Sequence, residues 1–224
     1  MLGRTVPRVK ICCIQNIAEA RLAIRYGASA LGLVSAMPSG PGPIPDEEIG
    51  LISAIVPPGV SSVLLTSITD PASIVEQQRR CRVNALQICD RLEKGSHRAL
   101  RKRLPGLALL QALHVTGEES VGEALEVADQ VDALLLDSGQ PDAAVNVLGG
   151  TGRVHNWEIS RRIREAARVP VYLAGGLRAE NVAAAIETVE PFGVDVCTGV
   201  RTNGALSEEK LAAFMRPVAG STPS

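Results

Sequence analysis

Short apolar runs recur along the chain, separated by stretches with a longer repeat. The runs are Val9–Ile14, Ala30–Ser35, Val60–Thr66, Ala85–Cys89, Leu107–Val115, Ala133–Asp137, Val169–Ala174 and Val194–Thr198. They are apolar almost throughout rather than at alternate positions. That is the pattern of parallel strands buried on both faces. Between them, apolar residues fall at helical spacing: Ile17-Ala20-Ile24, Ile49-Ile52-Ala54, Ala72-Ile74-Val75, Val121-Leu125-Ala128, Ile159-Ile163-Ala166 and Val182-Ala185-Ile186. Asn16, Asp46, Asp70 and Asn156 precede helical stretches and suit N-caps, and Pro71 suits a first helical position. The pattern predicts eight strands, each followed by a helix.

Eight such units predict a single-domain α/β fold, the (β/α)8 TIM barrel, over residues 1–218, with 219–224 as a disordered tail. A doubly wound open sheet is the rival. It would carry a GxGxxG turn after the first strand, where the chain reads CCIQN. The Pro/Gly-rich segment Met37–Pro45 lies inside the second unit and reads as a loop, not a linker.

Composition narrows the partners. The 224 residues are 46% hydrophobic and 21% charged, with a net charge of -1, which points away from nucleic acid or an acidic membrane surface. Aromatics at 2% supply no base-stacking platform. No apolar stretch is long enough to span a membrane, and the opening MLGRTVPRVK lacks a secretory core. Cysteines at 12, 13, 81, 89 and 197 form no CxxC, so a reduced, cytoplasmic protein with neither disulfide framework nor metal site is expected.

In a barrel of this kind the strand C-termini build the active site. Strand six ends on a carboxylate, Asp137, straight after four apolar residues. Strand one ends at Cys12-Cys13, strand four at Cys89-Asp90, and strand five contains His114. Strands seven and eight run into Gly175-Gly176 and Thr198-Gly199, and Gly149-Gly150-Thr151-Gly152 follows strand six. Glycines let backbone N–H groups approach an oxyanion, so Gly150, Gly152, Gly175, Gly176, Thr198 and Gly199 are candidate phosphate ligands. A thiolate and a carboxylic acid across a barrel mouth can serve a proton-shuffling isomerisation without metal or cofactor. Taken singly, Cys12 also reads as a small buried hydrophobe and Asp137 as a turn residue. His114 is a candidate proton-transfer group, with a hydrogen-bonded rim position as the blander expectation. His97 and His155 sit in polar sequence and are expected to be solvated. Cys81, in the run Arg79-Arg80-Cys81-Arg82, is expected at a solvated helix end.

Read together, these pieces resemble the phosphoribosylanthranilate isomerase family. Val9-Lys10-Ile11-Cys12 is similar to its opening strand and Leu135-Leu136-Asp137-Ser138 to its sixth-strand acid. Gly149-Gly150-Thr151-Gly152 with Asn156-Trp157, Leu173-Ala174-Gly175-Gly176-Leu177 with Glu180-Asn181-Val182, and Gly193-Val194-Asp195-Val196 with Gly199-Val200 resemble its later blocks. The resemblance implies a cofactor-free Amadori rearrangement on a small phosphorylated substrate, in a monomer or homodimer. It makes Asp137 the general acid and Cys12 the general base. Four departures fall at the substrate end. Cys13 replaces a glycine. The strand-two loop, here with Gly42, lacks the family's arginine. Cys89-Asp90 replaces a His-Gly pair, and Arg201 replaces a glutamate. Cys13, Gly42, Cys89, His114 and Arg201 are therefore candidate substrate contacts. A different phosphosugar or aminosugar phosphate, or a non-catalytic phosphate-ligand role, remains compatible with the same residues.

Overall fold

The computed structural model describes residues 6–38, 40–137 and 156–221. Eight parallel strands close into a barrel in chain order. They are β1 (Arg8–Ile11), β2 (Ala30–Val34), β3 (Ser61–Thr66), β4 (Ala85–Ile88), β5 (Ala108–His114), β6 (Ala133–Asp137), β7 (Val171–Leu173) and β8 (Gly193–Val196). Closure comes from β1 pairing with β8, Lys10 opposite Asp195 and Ile11 opposite Val196. The helices are α1 (Ile17–Arg25), α2 (Asp46–Ala54), α3 (Pro71–Cys81), α4 (Ser96–Arg103), α5 (Glu119–Ala128), α6 (Trp157–Ala166), α7 (Val182–Val189) and α8 (Glu208–Gly220). None of them is long and apolar enough to cross a membrane.

The two faces of each strand explain the unbroken apolar runs. On β6, Leu134 and Leu136 pack outward into the large strand–helix layer, while Ala133 and Leu135 turn into the barrel. Both layers exclude water, so both sets are apolar. The two-residue alternation then carries the next inward position to Asp137. The acid therefore ends the strand on the barrel axis side, at the mouth.

Asn16, Asp70 and Asn156 cap helices as expected, each accepting a backbone N–H with its side chain. Asp46 does not. Pro45 holds the cap position of α2, and the Asp46 carboxylate instead accepts from Ser35 Oγ at 2.7 Å and from Arg80 at 2.8 Å. α8 runs through Gly220, two residues into the segment expected to be a tail. Cys81 and His97 are both buried rather than solvated. Cys81 packs in the strand–helix core, where burial pushes its thiol up to about 12. His97 Nε2 pairs with Gln111 Oε1 at 3.0 Å. The expectations for His155, Gly150 and Gly152 lie outside the described residues.

Candidate active site

One mouth gathers residues from all eight strands. Cys12 and Cys13 come from β1, Cys89 from β4, His114 from β5 and Asp137 from β6. Gly175 and Gly176 follow β7, and Thr198 follows β8. Gly175 and Gly176 have φ of 86° and 63°, left-handed conformations that glycine adopts without strain. Gly199 opens the same short helical turn as Thr198 but faces away from the cavity. A Cβ there would lie 2.1 Å from the Leu177 carbonyl oxygen, so only glycine lets the turns after β7 and β8 pack together.

Beneath Cys12 lies a buried ion pair that strand propensity alone does not suggest. Lys10 is wholly buried inside the barrel, two residues before Cys12 and on the same inward face. Its ammonium donates to Asp195 Oδ1 at 2.9 Å and stands 3.6 Å from Cys12 Sγ. Burial, the largest single influence, would lower the Lys10 pKa, but the Asp195 carboxylate together with the Cys12 and Cys13 thiols outweighs it and keeps the amine charged. Cys12 is held below the ordinary thiol value, chiefly by a hydrogen bond from the Cys13 thiol, with Lys10 adding its charge against the opposing effect of burial. Cys13 is correspondingly held above the ordinary value by its bonds to Cys12 and Cys197 and by burial. Burial raises Cys89 to about 12. Of Cys12, Cys13 and Cys89, Cys12 is the one whose surroundings favour the thiolate.

Room for this pair is made at Gly32, on the neighbouring strand. A Cβ there would sit 2.8 Å from Cys12 Sγ and 3.1 Å from Lys10 Nζ. Gly32→Ala is therefore expected to cost about 1–3 kcal/mol of stability. It should also depress any activity that depends on Cys12 by more than the melting shift explains, which parallel thermal and kinetic measurements would show.

The substrate-end candidates separate. Cys13 lines the mouth in a left-handed conformation, φ 62°, where its Sγ lies 2.8 Å from Cys197 Sγ. Gly42 does not line the cavity; it packs on Cys13, and a Cβ there would approach the Cys13 Cβ to 2.7 Å. The loop instead presents Gly40 and Pro41. Arg201 is not a mouth residue. Its guanidinium is buried, donating to Glu19 Oε2 at 3.0 Å, to Gly204 O at 2.7 Å and to the carbonyls of Cys12 and Cys13. It braces the turn that carries Cys12. The ring nitrogens of His114 are both shielded and, among the described residues, have no hydrogen-bond partner. Lys10, Asp195, Gly32 and Glu19 went unrecognised in the sequence. The usable signal was parity: Lys10 lies two residues from Cys12 and Asp195 two from Cys197, so all four point inward.

Comparison with known proteins decides the family. The family model described as N-(5'phosphoribosyl)anthranilate (PRA) isomerase matches residues 9–216. The chain belongs to this family. It is 34% identical over 193 residues to the N-(5'-phosphoribosyl)anthranilate isomerase of Methanocella arvoryzae, covering 86% of this chain and 88% of that protein. The family's enzyme from Halobacterium salinarum is 35% identical over 210 residues, covering 93% and 94%. Among solved members, the Thermotoga maritima structure superposes with a TM-score of 0.83 at 30% identity, covering 96% of this chain and 99% of that one. A family structure in complex with reduced 1-(o-carboxyphenylamino)-1-deoxyribulose 5-phosphate superposes at 0.80 with 28% identity, covering 96% and 99%.

Proposed function

We propose that this chain is a phosphoribosylanthranilate isomerase of tryptophan biosynthesis, converting N-(5'-phosphoribosyl)anthranilate to the carboxyphenylamino-deoxyribulose phosphate. The observation that carries the assignment is the placement of Cys12 and Asp137 on one barrel mouth with the β7 and β8 glycine turns, in a chain of this family. Asp137, as the neutral acid, protonates the furanose ring oxygen. The C1'–O bond breaks and the nitrogen lone pair forms a Schiff base. The positive nitrogen acidifies the C2' proton, and the Cys12 thiolate removes it to give an enolamine. Tautomerisation yields the ketone, so C1' is reduced at the expense of C2' and no redox cofactor enters. Backbone N–H groups around Gly175, Gly176 and Thr198, with Gly150 and Gly152, hold the phosphate. The protein works in the cytoplasm as a monomer or homodimer.

The test is a direct assay. N-(5'-phosphoribosyl)anthranilate is generated in situ and loss of its fluorescence is followed, with Cys12→Ala as control. Turnover that the variant loses supports the assignment. A folded wild-type protein without turnover would shift it to another phosphorylated substrate. That second reading draws on one fact: no Lys or Arg is among the described residues lining the mouth.

The pH profile gives a separate check. If Cys12 acts as the thiolate, kcat/KM should rise with pH through its pKa, which lies below the ordinary thiol value. Lys10→Met removes a cation that favours the thiolate, so this acid limb should move to higher pH. A limb that stays in place would remove Lys10 from the account.

A further inference from the structure

The proposed phosphate turns occupy the β7–β8 side of the mouth, and Cys12 and Asp137 stand on the adjoining β1 and β6. A phosphoribosyl group anchored there directs its nitrogen substituent toward the opposite wall. That wall is Val34, Met37, Pro41, Leu65 and Ala112, an apolar surface suited to an aromatic ring. Between Leu65 and Ala112, β4 adds the neutral Gln87 carboxamide, but these described residues offer no charged group for a carboxylate. The acids lining the mouth are Asp137 and Asp195, and the cation beneath them, Lys10, is already paired with Asp195. An aryl carboxylate entering this space loses its water without compensation unless a donor faces it.

His114 is the one described lining side chain that can carry positive charge. It ends β5 beside Asp137, its register partner on β6. Among the described residues neither Nδ1 nor Nε2 has a hydrogen-bond partner, a condition folded proteins seldom leave unmet. His114 lines both the mouth and a second cavity, which Asp90, Lys94 and Glu123 also line.

We propose that His114 receives the aryl carboxylate of the substrate, replacing from β5 the arginine that the family resemblance places on the strand-two loop. The assignment rests on the isomerase reading and narrows it. One imidazole N–H then makes a charge-assisted bond to one carboxylate oxygen, where an arginine would offer two. Discrimination for the carboxylate is accordingly concentrated in a single side chain.

The experiment compares two substrates, N-(5'-phosphoribosyl)anthranilate and its decarboxy counterpart N-(5'-phosphoribosyl)aniline, on wild type, His114→Gln and His114→Leu. Wild type should favour the carboxylated compound. His114→Leu should raise KM for that compound by about 10- to 100-fold while changing kcat/KM for the aniline compound by no more than about threefold. His114→Gln, which keeps a donor, should recover part of the loss. Equal losses on both substrates, no loss on either, or a wild type indifferent to the carboxylate would each overturn the assignment. A folded wild type that turns over neither compound overturns the isomerase reading itself, and this inference with it.

Discussion

Asp137→Asn is expected to lower kcat by about 10²- to 10⁴-fold, with KM changed only a few-fold. The carboxamide has the same shape, so it preserves the strand end and its pairing opposite His114. It has no proton to give at neutral pH. Ring opening then has to proceed with an unprotonated alkoxide leaving group or with water as acid. Because the lost interaction belongs to the transition state and not to ground-state binding, the deficit should appear in kcat. Steady-state kinetics beside a thermal melt would separate this from unfolding. A well-folded Asp137→Asn enzyme within tenfold of wild type would mean that the proton comes from another group.

The second large effect concerns stability. Arg201→Met is expected to cost about 3–5 kcal/mol, because it leaves the buried Glu19 carboxylate without its counter-charge. For a chain of this size that corresponds to a melting decrease of about 6–20 °C. Glu19 keeps two backbone donors, Gln15 N at 3.1 Å and Leu206 N at 2.8 Å, which soften the loss without neutralising the charge. Replacing both partners, Arg201→Met with Glu19→Leu, should restore part of it, since the charge-burial penalty disappears. Recovery stays incomplete, because the carbonyls of Cys12 and Cys13 lose their donor as well. Chemical denaturation would read both variants. A single variant within about 1 kcal/mol of wild type would show that Glu19 finds water or a proton instead.

Much of this arrangement was legible in the sequence, for identifiable reasons. Apolar runs buried on both faces placed all eight strands, with Ala133–Asp137 matched at both ends. The acid at its end was conspicuous because nothing else in that run is polar. Helices α4 and α8 escaped the periodicity reading. α4 reads SHRALRKR, with Leu100 as its main core anchor, and Pro217 interrupts the pattern of α8. Arg201 was misplaced because a short 3-10 turn, Thr198–Val200, separates it from β8, and the strand's inward–outward parity does not pass through such a turn. His97 looked solvated from its polar neighbours, whereas its burial depends on Gln111 fourteen residues away. Lys10 was visible only as part of a resemblance. Charge on a strand is ordinarily read as exposure, and its partner Asp195 lies at the far end of the barrel sequence.

That last separation bears on how the chain becomes competent. Cys12 directly follows the first strand, yet the groups that brace its surroundings arrive with the last βα unit. Asp195 fixes Lys10 from β8, Arg201 holds the Cys12 turn, and Lys210 at the start of α8 donates to the Arg201 carbonyl at 2.7 Å. Closing the barrel and completing these contacts are thus one event spanning nearly the full sequence, a contact of the slowest kind to form. During synthesis, a ribosome-bound chain that has folded six or seven units already contains both proposed proton carriers and yet lacks the carboxylate that holds Lys10 and the guanidinium that holds the Cys12 turn. Chemical competence should therefore appear late and all at once.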